Sequence, residues 1–370
     1  MHILVSGAGI AGLACAGELA RRGHDVTVVE YAPRLRLTGT PIDIRGDAIT
    51  TADRMGLLKG IRQRRIRMSE RTQFVDHAGE PVAWLPLDEV GDSDDDIEIL
   101  REDLVRLLAD ALPPSVALRF GDSVAALDDG GDGATVRFAS GRTGRYDVVI
   151  GADGQHSAVR ALAFGPEAAY VRHLGAYVAL ASYPAEAGGT GPNLICNVPG
   201  RMAGLFRYGG TATAVFQFRS EPLGYDHHDV AAQKRILAGV FADCRSWRIP
   251  ELLDAALADP GFYLSSASQI CMPNWHRGRV VLVGDAGYSP AYLSGRGTSL
   301  ALTGARFLAE ELDRCDGDHA AAFARYEERQ RPYVTFAQDR VHAGRARVLP
   351  ATWEDIAARN AALRAAGAAA

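Results

Sequence analysis

Lysine is nearly absent from this 370-residue chain, standing only at 59 and 234 although lysine and arginine together number 40. Chemistry that needs a pocket lysine therefore has two candidates. Cysteine is also sparse: Cys15, Cys196, Cys244, Cys271 and Cys315 are scattered and odd in number. That argues against a disulfide framework or a metal cluster and suggests a reducing compartment. His227-His228, between Asp226 and Asp229, has no cysteine nearby and reads as a loop, so no metal site is expected. No apolar run reaches the roughly 18 residues of a membrane span. The opening "MHILVSGAG" lacks the charged region and cleavage site of a signal peptide, so a cytoplasmic location is expected. A net charge of −5 provides no general field for nucleic acid or anionic membrane. Internal repeats, a Ser-His-Asp set and a Cys-His set are all missing.

What the chain does have is glycine at the ends of apolar runs. "HILVS", 2–6, reads as a buried strand, 11–22 as a helix and "DVTVVE", 25–30, as a second strand. This β-α-β setting gives meaning to Gly7, Gly9 and Gly12. The first permits a tight turn, the second lets a pyrophosphate approach, and the third allows close helix–strand packing. Phosphates then sit at the positive helix start, by Ile10 and Ala11. Glu30 is spaced to accept hydrogen bonds from an adenosine ribose. Its charge disfavours a 2′-phosphate there, so FAD or NAD is expected over NADP at this site.

Two further apolar runs end alike, "DVVIGADG" at 146–154 and "VVLVGDAG" at 280–287. Three such ends in one parallel sheet converge on the edge where open α/β sheets bind ligands. From about 166 to 275, short alternating segments predict an antiparallel sheet interrupted by a helix at 229–243. The expected fold is α/β + β: a Rossmann-like dinucleotide-binding domain, an antiparallel-sheet substrate domain and C-terminal helices. The expected boundaries are 1–75, 100–165 and 268–345 for the cofactor domain and 76–99 with 166–267 for the sheet domain. A helical tail follows at 346–370. Residues 48–66, 101–112, 298–313 and 319–345 read as helices, the last bent or broken by Pro332.

Together these motifs resemble the class A flavoprotein monooxygenases, the aromatic-hydroxylase fold. The resemblance spans roughly residues 1–335 and rests on "GAGIAG…E", Arg101 in "ILREDLVRLL", "DVVIGADGQHSAVR" and "GRVVLVGDAGYSP…GRG". It implies FAD as cofactor and NADPH or NADH as transient co-substrate, with no second Gly-x-Gly-x-x-Gly unit needed. Oxygen would add at the flavin C4a position, and the resulting hydroperoxide would pass one oxygen atom to an aromatic or polyketide-like molecule. Hydroxylation is the expected outcome, with Baeyer–Villiger oxidation or epoxidation on the same scaffold as alternatives. An FAD-binding redox sensor or inactive scaffold is the alternative of another class.

The resemblance also implies roles. Asp285 would bind a ribitol hydroxyl, Arg101 would sit near the ribitol and phosphates, and Asp153 would bridge FAD and the donor. Gly295, Gly297 and Thr298 would offer backbone N–H groups to the flavin, with Arg45 beside it. Arg45 and Tyr292 are the only candidates for a catalytic part, because the chemistry would be flavin-borne. Asn197, Phe206, Tyr208, Phe216, Phe218 and Pro290 are candidates to line the substrate. Monomer and homodimer are both compatible with the sequence. Three positions depart from the usual pattern: Gly287, Tyr292 where proline is common, and Arg296 where glutamine is common. "SWRIP", 246–250, partly matches a flavin-dependent halogenase motif, but Lys59 and Lys234 both lie in helical, exposed contexts unsuited to that chemistry.

Overall fold

A computed structural model describes the chain except residues 38–39, 67–71, 86–92, 94, 185–190, 209, 342–346 and 369–370. By sequence, 80–87 reads as a strand, 91–98 as an acidic loop and 186–191 as a turn; all three fall partly outside the described residues.

One sheet has six strands, in the order His276–Arg277, Val280–Leu282, Val148–Gly151, His2–Ser6, Asp25–Glu30, Ala117–Phe120. All neighbours run parallel except the first pair. The central strands are continuous apolar runs because they are covered both by helix Ile10–Arg21 and by the three-stranded sheet at 124–146. Helix Ile10–Arg21 packs between this sheet and helix Gly297–Arg314, so the three glycine-bearing strand ends share one edge.

The second sheet has seven strands, in the order Tyr263–Ile270, Val171–Tyr183, Thr211–Arg219, Arg201–Tyr208, Asn193–Val198, Thr72–Val75, Pro81–Trp84. Asn193–Val198 and Thr72–Val75 run parallel; the other pairs are antiparallel. Thr72–Val75 thus pairs into this sheet, although its sequence position falls in the segment expected to build the cofactor domain. One face buries Ala203, Leu205, Phe216 and Phe218 under helices Val230–Phe241 and Ile249–Ala258. The opposite face holds Val178, Met202 and Val215 against Ala291, Val341, Leu349 and Leu363. Two three-stranded sheets complete the fold, one at 124–146 and one joining Pro41–Ile44, Ile97–Leu100 and Arg65–Ile66.

Some elements differ from expectation. The stretch 48–66 is two helices, Asp47–Arg54 and Leu58–Gln63, parted at Gly56, whose φ is +75°. Pro332 lies inside helix His319–Asp339 without ending it. Helix Ile249–Ala258 was not anticipated; Pro250 sits in its first turn, where its missing N–H costs nothing.

Tyr288 is fully buried, its ring tilted at 49° to Trp275 with centroids 4.5 Å apart, and its hydroxyl accepts from Tyr326 at 2.9 Å. Gly304 makes room for it, since a Cβ there would lie 2.1 Å from the Tyr288 hydroxyl oxygen but 3.3 Å from its Cζ. Gly304→Ala is therefore expected to lower the melting temperature, and adding Tyr288→Phe to restore part of the loss. A double-mutant cycle on thermal unfolding reads the coupling, and strict additivity would refute this packing account.

Candidate functional site

At the first strand end, Gly7 has φ +103°, and a Cβ there would lie 2.5 Å from the Ala152 carbonyl oxygen. Gly7 N–H donates to Val29 O at 2.7 Å, closing the turn. A Cβ on Gly12 would fall 1.9 Å from Gly7 O, so helix and loop touch backbone to backbone. A Cβ on Gly9 meets nothing within 4 Å and would project into open space. Helix Ile10–Arg21 begins there with no side-chain cap and no acid in its first turn. Its N–H groups at Ile10, Ala11 and Gly12 are thus presented to an anion. Glu30 is buried; its two carboxylate oxygens accept from Ala8 N–H at 2.8 Å and Ala32 N–H at 2.9 Å. It braces the glycine loop and retains lone pairs for further donors.

At the third strand end, Gly284, at φ +68°, turns the chain into the short helix Asp285–Tyr288. Asp285 is accessible to water although protein surrounds it, which places its carboxylate in a cleft. That enclosure pushes its carboxyl above the usual carboxylate value, with Ser289 and Arg101 opposing. Arg101 is half-buried; it donates to Arg36 O at 3.2 Å and feels the charges of both Asp285 and Glu30. Burial lowers its own value. Gly297 opens helix Gly297–Arg314, again without a side-chain cap, and a Cβ on it would lie 3.8 Å from Asp285 Oδ1. Thr298 is buried in the first turn.

Segment 41–46 joins this edge. Arg45 N–H donates to Ser299 Oγ at 2.9 Å, and the Arg45 guanidinium donates to Asp43 Oδ2 at 2.9 Å and lies 3.6 Å from Asp96. Both Asp43 and Arg45 flank Gly295, at 3.2 and 3.3 Å from its Cβ position. Arg296 turns outward over the Phe336 ring at 4.6 Å. Burial and repulsion from Arg45 and Arg340 bring its value down to about 10. Ala291 holds φ +72°, a strained conformation for alanine, and sets the turn Tyr292–Ser294. Tyr292 is 37% exposed yet enclosed, like Asp285, and burial pushes its phenol upward. Its hydroxyl donates to Gln217 Oε1 at 3.3 Å.

Asp153 sits at the second strand end, and its carboxylate accepts from the Ser157 hydroxyl and from Val159 N–H at 3.1 Å, bracing Ser157, the N-cap of helix Ala158–Phe164. Arg160, which is fully buried, ties that helix to the third strand end. Its guanidinium donates to Ala286 O at 2.9 Å, Gln155 O at 2.6 Å and Glu167 at 2.8 Å. An arginine three residues past the Gly-Ala-Asp-Gly-x-x-Ser run at 151–157 was the available clue to this brace.

The residues proposed to line the substrate divide between the two sheet faces. Phe216 and Phe218 point away from the Ala291–Leu293 loop and pack on Phe241 with centroids 5.0 and 6.5 Å away. Their neighbours Val215 and Gln217 face the loop instead, because alternate strand residues face opposite ways. Phe206 lies on the loop-facing side. Tyr208 Oη is 2.5 Å from Thr213 Oγ1. Asn197 is buried and holds the C-terminal segment, donating to Val348 O at 2.8 Å and accepting from Arg359 at 2.6 Å. Pro290 is buried, its carbonyl 3.5 Å from Gln269 Nε2. Lys234 donates to Leu257 O at 2.8 Å in the helical layer on the far face, and Lys59 is exposed.

The residues present suit FAD: open space at Gly9, two uncapped helix starts, a braced acid for ribose, and Asp285 in the cleft between them. This is the cofactor edge of a Rossmann-like flavoprotein joined to a sheet domain. Residues 1–169 match the family described as FAD binding domain. A flavin-dependent monooxygenase of Legionella longbeachae is 36% identical over 337 residues, covering 90% of this chain and 86% of that one. The tetracycline destructase Tet(51) structure is similar with a TM-score of 0.86 and 33% identity, covering 98% of this chain and 95% of that one. A variant of Klebsiella pneumoniae HpxO, solved with FAD, has a TM-score of 0.73 and 26% identity, covering 98% and 94%. The chain belongs to the FAD-dependent monooxygenase family.

Proposed function

We propose that this protein consumes NADPH or NADH and O2 to insert one oxygen atom into an aromatic or polyketide-like small molecule, with hydroxylation as the outcome. The observation that carries the reading is the cleft lined by Asp285 on the cofactor edge and Tyr292 on the sheet side. FAD, when bound, supplies the redox chemistry. Gly9, Ile10 and Ala11 would hold the pyrophosphate, Glu30 the ribose, and Asp285 a ribitol hydroxyl by a charge-assisted bond. Gly297 and Thr298 would present N–H groups, at a positive helix end, to the polar edge of the ring. Val178, Met202 and Val215, packed with Ala291 next to Tyr292, would keep water from that side of the cleft. The likeness to a tetracycline destructase favours a fused-ring, oxygen-rich substrate.

The test uses the FAD-loaded protein mixed anaerobically with NADPH or NADH, then with O2, against phenols, polycyclic phenols and tetracycline. One compound is expected to speed flavin bleaching and to gain a single oxygen by mass. Peroxide equal to the donor consumed, for every compound, would remove the oxygenase reading.

A further inference from the structure

We infer that segment 220–229 is a strap across the phosphate loop, latched by a row of packed rings, and that it retains FAD until acid unlatches it. The inference rests on FAD occupying the cofactor edge and is independent of the oxygen chemistry proposed above.

The row is Tyr31, His228, His227, His156, with successive ring centroids 5.5, 4.0 and 4.2 Å apart and the last pair nearly parallel, at 14°. Its two ends belong to the edge of the first sheet. Tyr31 follows Glu30 at the end of strand Asp25–Glu30, and His156 lies just beyond strand Val148–Gly151. Those strands are the neighbours of His2–Ser6 on either side, so Tyr31 and His156 flank the loop that carries Gly7 and Gly9. The middle of the row comes from elsewhere. His227 and His228 stand in the connection between strand Thr211–Arg219 and helix Val230–Phe241. Two strand spacings amount to about 10 Å, a gap that three ring-to-ring steps cover. The row thus joins the two sides of the phosphate loop through a segment of the second sheet's layer.

The strap is firmly held at its roots and lightly at its crossing. Leu223 N–H donates to the Tyr177 hydroxyl at 2.7 Å, His228 N–H to Asp226 Oδ1 at 2.8 Å, and Gln233 Nε2 to His227 O at 2.9 Å. Among the described residues, no hydrogen bond or ion pair joins 220–229 to Tyr31 or His156; ring contacts do. All four rings are exposed, so the core does not require this arrangement. Aromatic pairs are strong enough to hold a loop closed and weak enough to release it.

Protonation works against the stack, because His227 has an imidazole on either side. The charged groups around the row are Glu167, 2.9 Å from His156 Nδ1 and also bound by Arg160; Asp226; and Asp229, which lies 3.8 Å from Arg235. Burial and the two flanking imidazoles outweigh Asp226 and Glu167 and hold His227 below the usual imidazole value. An open strap returns that ring to about 6.5. The closed form therefore binds fewer protons, so closure is undisturbed above that pH and is progressively lost below it. The pyrophosphate of FAD is the opposing charge, and the test separates its pull from the stacking.

The experiment follows FAD release from the FAD-loaded protein by flavin fluorescence, about one pH unit above and one below 6.5. Wild-type release is expected to speed several-fold in acid. His227→Ala combined with His228→Ala should release FAD about tenfold faster at the higher pH, with the melting temperature of the apo-protein unchanged. His227→Phe combined with His228→Phe keeps the rings without the titration, and its release should stay slow at both pH values. An alanine pair that releases FAD at the wild-type rate would overturn the inference. So would a phenylalanine pair that speeds in acid as the wild type does. Wild-type release that slows in acid would overturn it too, since the imidazoles would then grip the phosphates by charge. Faster release accompanied by a lower apo melting temperature would assign the row to structure and refute the strap.

Discussion

Gly12→Ala is expected to prevent FAD uptake and to destabilise the cofactor unit by about 3 kcal/mol or more. The reason is steric and backbone-borne: the added methyl would sit 1.9 Å from Gly7 O. No flexible side chain is available to yield. Gly9→Ala separates folding from binding. Gly9 has φ −77°, which alanine adopts freely, and the new methyl would touch no protein atom within 4 Å. Its melting temperature should match the wild type, while its FAD affinity falls because the methyl enters the space reserved for phosphate. Thermal melts alongside FAD titrations check both variants. A Gly9→Ala protein with undiminished FAD affinity would show that the phosphates lie elsewhere.

Asp285→Asn is expected to act in opposite directions on the apo-protein and on cofactor binding. Enclosure raises the carboxyl above its usual value, so the folded state penalises the ionised form. The sign follows from linkage. Above the folded value both states are ionised and the full penalty applies, whereas below the unfolded value of about 3.9 both are neutral and it vanishes. Asparagine never pays this cost. The apo variant should therefore melt higher than wild type at neutral pH, and the gain should shrink as pH falls toward the ordinary carboxylate range. FAD affinity should drop about 10- to 100-fold, because a charge-assisted bond to a hydroxyl becomes a neutral one. An apo variant that melts lower at neutral pH would contradict the enclosed-acid account. The two effects together are the expected trade-off between a stable scaffold and a functional cleft.

The cofactor edge was legible in the sequence because its requirements are local. Gly7, Gly9 and Gly12 read correctly as turn, open approach and close packing, since each follows from backbone sterics within one β-α-β unit. The acid Glu30 was legible by spacing. The sheet domain was less so. Phe216 and Phe218 announce a buried face, but bulk alone does not say whether that face meets helices or the cofactor loop. They meet Phe241 of helix Val230–Phe241, which the sequence did suggest, whereas helix Ile249–Ala258 beside it went unread in a stretch noted only for its partial match to a halogenase motif. Asn197 looked like a lone polar group in a substrate cleft; its partners Val348 and Arg359 lie about 150 residues away in sequence, beyond any local pattern. Asp153 matched the family pattern, and its bonds from Ser157 and Val159, four and six residues on, add a structural part that local sequence could have suggested.

The alternation along strand Thr211–Arg219 has a practical corollary. Phe216 and Phe218 anchor the helical layer, whereas Val178, Met202 and Val215 on the other face anchor Ala291 of the cofactor loop and the C-terminal residues Val341, Leu349 and Leu363. Each side of the same ribbon thus fastens a different part of the chain. Truncation at Phe216 or Phe218 would loosen the helices on one side, and truncation at Val178, Met202 or Val215 the loop and C-terminal segment on the other.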